Sequence, residues 1–190
     1  MKFQLIPTMA ILAMAIALPA QALTKTEYKA AGQMLTGDRK AAITACSTAT
    51  GDAKSVCVME AKGKYEIANA ELDAKYKPSA KADRKLRDKR ADVGYDIAKA
   101  KCGQLSGNPK DVCIKDAKAA KVAAKADAKV AKVAAEAKST GTKKVADARK
   151  DAMEDKSDAA YAAAKERCDA LAGDAKTVCM NNAKAKFGKS

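Results

Sequence analysis

One cysteine frame occurs three times in this chain and constrains how it can fold. The pairs are Cys46/Cys57, Cys102/Cys113 and Cys168/Cys179, and each brackets one turn signal. The shared signal runs Gly, then Asp or Asn, any residue, Lys, any residue, Val, Cys. Each first Cys lies five residues before its Gly and each second Cys six after it. At a helical rise of about 1.5 Å per residue, the two stand at nearly equal height on antiparallel helices. Facing each other across a short turn, they can meet disulfide geometry. The repeated frame therefore selects the local bridges Cys46–Cys57, Cys102–Cys113 and Cys168–Cys179 from the pairings that six cysteines allow. Each would close a short loop, a constraint on the unfolded chain of about 3 kcal/mol.

The residues between the frames are helix formers with little bulk. There is no Trp, and there are only two Phe and five Tyr. Much of the 48% apolar content is Ala, which favours helix strongly but buries little surface. Helix breakers are sparse. Candidate turns are Thr36-Gly37-Asp38, Gly51-Asp52, Lys77-Pro78-Ser79, Gly107-Asn108-Pro109, Ser139–Thr142 and Gly173-Asp174. In the frames the Gly suits a left-handed C′ position, Asp52, Asn108 and Asp174 suit N-caps, and Pro109 suits the first helical position. Met34–Lys40 reads as a cysteine-free copy of the same signal. The pattern predicts helices near 24–36, 38–50, 53–76, 80–106, 109–138, 143–172 and 175–187.

Apolar spacing supports helical seams. Val58, Ala61, Tyr65, Ala68 and Leu72 step by three and four, and Leu86, Val93, Ile97 and Ala100 share a stripe. The stretch 120–137 instead repeats after eleven residues, which favours a nearly straight helix. Its seam is only Val and Ala, so either two helices approach closely along small residues or a single helix packs weakly there. The fold class expected is all-α: antiparallel helical hairpins in an elongated bundle or rod, clamped by three local disulfides. If the chain reverses at 51, 78, 107, 140 and 173, the three clamped turns share one end. Residues 23–190 read as a single repeat-built region.

The first residues set the expected compartment. Met1-Lys2 opens a short positive segment, Leu5–Leu18 is mostly apolar, and Ala20-Gln21-Ala22 matches an A-x-A cleavage site. The apolar run is short for a bilayer span. Residues 1–22 thus read as a cleavable signal peptide, which leads to an oxidising space where paired cysteines form disulfides. Periplasmic localisation is expected.

The absence of His removes the commonest general acid/base and the usual zinc nitrogen ligand. Ten residues between paired cysteines is wrong for a zinc site, and no C-x-x-C redox motif occurs. No catalytic residue, cofactor or metal is expected, and the chain does not read as an enzyme. The formal net charge is +14. Its densest basic run holds Lys81, Arg84, Lys85, Arg87, Lys89 and Arg90. That run is either a solvated helix face, balanced by interspersed acids, or a polyanion-binding face for lipopolysaccharide, another anionic polymer or nucleic acid. Few aromatic residues are available for base stacking, which disfavours nucleic acid.

The frame G-[DN]-x-K-x-V-C, the YKPS break at Tyr76–Ser79 and the A-K-A-D-A-K-V run at 124–130 carry a resemblance. The chain resembles a group of uncharacterised exported, Ala/Lys-rich, paired-cysteine helical proteins of Gram-negative bacteria, sometimes labelled TolA-like. The resemblance covers most of the chain beyond residue 22. It implies a periplasmic helical protein; the Tol-Pal function is not carried over, because the label rests on helix composition. The function expected is a non-enzymatic structural or interaction role at the cell envelope. The partners would be anionic envelope components or other envelope proteins.

Overall fold

The computed structural model describes residues 23–137 and 141–189. The expected signal peptide lies outside the described residues. Among the described residues six α-helices follow one another: α1 (Lys25–Ala45), α2 (Gly51–Tyr76), α3 (Ala80–Cys102), α4 (Gly107–Glu136), α5 (Thr142–Cys168) and α6 (Gly173–Phe187). A 3₁₀ turn, Cys46–Thr48, extends α1. Among the described residues no strand occurs.

Among the described residues each helix packs only on its neighbours in the chain, so this region is a zigzag of hairpins and not a bundle around a common core. Cross-helix pairs set the direction. Between α2 and α3, Glu60 meets Lys101 and Asp73 meets Lys85. Between α4 and α5, Asp116 meets Arg167 and Lys129 meets Asp151. In both, one partner's number falls as the other's rises, which is antiparallel register. The clamped turns therefore gather at one end and the unclamped turns at the other.

All three local disulfides are present, each with a Cα–Cα distance of 5.7 Å. Their geometry rests on the frame's glycine. Gly51, Gly107 and Gly173 all take left-handed backbone, with φ of 55°, 58° and 55°, a conformation that a Cβ makes costly. The chain thereby turns tightly enough to bring the second Cys back to the first. The details differ from the expected turn grammar. These glycines open the following helices, while α1, α3 and α5 end at or beside the first Cys. Asp52, Asn108 and Asp174 are not N-caps; Thr50, Ser106 and Ala172 hold those positions without side-chain capping bonds. Asn108 instead donates its amide to the Glu166 carbonyl on α5 at 2.9 Å. Pro109 is the third residue of α4.

The expected break at Gly37 is absent: α1 is continuous from Lys25 to Ala45. A break there would detach the segment that carries Tyr28 to its partners on α2, a hydrogen bond to Asp73 at 2.8 Å and a ring stack on Tyr76 at 4.4 Å. One helical Gly costs about 1 kcal/mol, less than losing that contact and interrupting the helix. Thr24 starts α1 with a capping box, its hydroxyl accepting from the Glu27 N–H while the Glu27 carboxylate accepts from the Thr24 N–H.

The seams are thin. Among the described residues the buried apolar side chains are nine Ala, three Cys, Leu72 and Val93, and the largest ones fully shielded from solvent are Cys46, Cys102 and Cys168. The Val/Ala stretch of α4 resolves toward close approach. Ala126 and Ala128 are buried, as are Ala148, Ala152 and Ala163 on α5. Gly63 does the same work between α2 and α3, where a Cβ would stand 2.4 Å from Val93 Cγ1.

Candidate functional site

With little interior, chemistry is confined to surfaces, and the charges show how those surfaces are arranged. The six basic residues of 81–90 do not share one face. Lys81, Arg84 and Lys85 line a groove at the unclamped end, whereas Arg87 and Arg90 line a separate hollow between α3 and α4 with Asp127. The helical period explains the split, since positions 84, 85 and 81 fall together and 87 and 90 fall roughly half a turn away.

Internal pairing consumes most of this charge. Lys85 meets Asp73 at 3.2 Å, Lys89 meets Glu66 at 3.0 Å, Arg90 meets Glu71 at 2.7 Å and Arg84 meets Asp88 at 3.4 Å. These exposed pairs fix register more than stability; each is worth about 0–1 kcal/mol. Among the described residues, Lys81 and Arg87 have no carboxylate within ion-pair distance.

The groove crosses four helices. Tyr28 comes from α1, Asp73 and Tyr76 from α2, Lys77 and Ser79 from the turn, Lys81, Arg84, Lys85 and Asp88 from α3, and Lys132 from α4. Its volume is about 1030 Å³. Five basic side chains face two acidic ones. Tyr28 and Tyr76 stack at 4.4 Å with their planes 24° apart, and the Lys77 ammonium stands 5.5 Å from the Tyr76 ring centroid. The Tyr28 hydroxyl donates to Asp73, and that bond to a carboxylate raises the phenol's pKa above its ordinary value. Ser79 caps α3, its hydroxyl accepting from the Ala82 N–H at 3.1 Å, so the positive end of that helix opens on the groove. One carboxylate oxygen, Asp88 Oδ1, is shielded from solvent and has no hydrogen-bond donor.

Sequence reasoning from the basic run reached Lys81, Arg84 and Lys85 but missed Tyr28, Asp73, Tyr76, Lys77, Asp88 and Lys132. The available signal was register. Tyr28 lies 18 residues before Cys46 and Tyr76 lies 19 after Cys57; Arg84 lies 18 before Cys102 and Lys132 lies 19 after Cys113. Counting outward from two clamps places both pairs at the same height.

A second charged cluster ties α3 to α4. Lys121 and Lys125 both meet Asp92 Oδ1 at 2.7 Å, and Lys121 also stands 4.9 Å from the Tyr95 ring. Partial burial alone would raise the Asp92 pKa, but the two ammonium donors outweigh it and hold the carboxyl below its usual range. Among the described residues no group of three or more Cys, Asp or Glu is placed to hold a metal ion. None of the described helices is long and apolar enough to cross a membrane. No family model, curated protein or solved structure matches this chain.

Proposed function

We propose that this protein is a non-enzymatic structural or interaction protein of the cell envelope, working in the periplasm. The observation that carries the reading is the contact pattern, in which every described helix packs on its chain neighbours alone among the described residues. Such an array spends its sequence on exposed surface and not on an enclosed site. Supporting it, all six cysteines are bonded, which suits an oxidising compartment. Disulfides do for this protein what a thick core does elsewhere.

Subcellular fractionation combined with thiol alkylation before and after reduction tests the reading. The expected result is recovery from the periplasmic fraction, with the six cysteines reactive only after reduction. In situ crosslinking should then join the protein to envelope components. Recovery from the cytoplasm with free thiols would refute the proposal.

A further inference from the structure

We infer that the groove at the unclamped end binds an anionic polysaccharide, with phosphate, sulfate or carboxylate groups on its sugars. Two features in one place carry this. The first is uncompensated cation: Lys77 and Lys81 have no carboxylate partner among the described residues, while Arg84, Lys85 and Lys132 hold theirs. Two ammonium groups at the turn are thus free to meet an anion without breaking an internal bridge. The second is the Tyr28–Tyr76 stack beside them, an apolar platform with a polar rim that suits the C–H face of a sugar ring.

The combination separates a sugar polymer from nucleic acid. Single-stranded nucleic acid wants aromatic faces open to successive bases along a wholly cationic track. Here the two rings form one stack, so the groove offers a single aromatic platform and no row of open faces for successive bases. An elongated ligand is favoured because the groove draws residues from four consecutive helices. The inference goes beyond the envelope reading and does not depend on it: binding is measured on purified protein, whereas that reading stands or falls on localisation.

The test is binding of the disulfide-intact protein to polygalacturonate, dextran sulfate, neutral dextran and a single-stranded oligothymidylate, across a range of salt. The variant K77E/K81E is compared with K118E/R87E, which changes net charge equally but lies outside the groove. Circular dichroism and disulfide mapping confirm that both variants fold. The expected result is salt-sensitive binding to the two acidic glycans, none to neutral dextran, a loss of at least about tenfold in K77E/K81E, and less than about threefold in the control. Tyr76→Ala should weaken the acidic glycans by about fivefold or more at unchanged salt slope. Polygalacturonate binding without dextran sulfate binding would assign the ligand to carboxylated sugars, and the reverse to sulfated or phosphorylated ones; both support the site. Equal losses in the two charge variants, tighter binding of oligothymidylate, or no glycan binding would overturn it.

Discussion

Substituting Ala for Gly should have opposite effects at different glycines of this protein. In an exposed helix interior the change removes unfolded-state freedom and improves helix propensity by about 0.5–1 kcal/mol. Gly37 and Gly94 are such sites: a Cβ at either meets nothing within 4 Å. At Gly63 the added Cβ would lie 2.4 Å from Val93 Cγ1 and 3.4 Å from Ile97 Cδ1. Ordinary carbon contact is about 3.5–4.0 Å, so something must move by about 1 Å or more. Val93 cannot easily swing aside, because one rotamer dominates for Val in a helix. Helix α3 must therefore back away from α2, at an overpacking cost of about 1–3 kcal/mol. Set against the propensity gain, the net loss is about 1 kcal/mol. For a chain of this size that is about 2–4 °C in Tm.

Thermal melting by circular dichroism, with the disulfides intact, reads all three. Gly37→Ala and Gly94→Ala should raise Tm, and Gly63→Ala should lower it. The double variant G63A/V93A sharpens the test. Val93→Ala alone empties part of a seam where Val93 is only 5% exposed, losing about 1.6 kcal/mol at about 0.8 kcal/mol per methyl-sized group. Combined with Gly63→Ala, the new methyl occupies that space, so the pair should be more stable than the sum of the singles by about 1 kcal/mol or more. A Gly63→Ala protein that melts as high as Gly94→Ala, or strict additivity in the cycle, would show that the α2–α3 spacing is not set by Gly63.

Three further outcomes are expected. Reduction of the disulfides should lower Tm steeply, because each clamp contributes about 3 kcal/mol to seams built mainly of Ala; an unmoved Tm would show that packing alone holds the hairpins. Acidification should loosen the α3–α4 contact: the Asp92 pKa is depressed in the folded state, so its contribution is full above the unfolded value and is lost as pH falls through the folded one. Asp92→Asn should flatten that acid dependence in hydrogen exchange around Lys121, and an unchanged profile would refute the assignment. Thr24→Ala should cost about 1 kcal/mol of capping, seen as faster exchange confined to the first turns of α1, which has no fully buried residue; protection unchanged there would contradict the cap's role.

The cysteine frames, the left-handed glycines within them, the helical class and the direction of each hairpin were legible in the chain as written. They follow from covalent reach and local backbone preference, which depend on residues a few positions apart. Gly37 shows where that logic stops. Thr36-Gly37-Asp38 carries the same local signal as the real turns, but no cysteine pair holds a reversal there, and α2 supplies Tyr76 and Asp73 as partners for an unbroken α1. The basic run shows the same limit in charge. Sequence places Lys81, Arg84, Lys85, Arg87, Lys89 and Arg90 side by side. Only the packed helices decide that Lys89 and Arg90 are matched to Glu66 and Glu71, that Arg87 faces α4, and that Lys81 joins Tyr28, Tyr76 and Lys132. A local frame can fix a turn because its energy is local. Which charges remain free depends on side chains brought together by register across four helices, and that register is set by clamps and seams acting together.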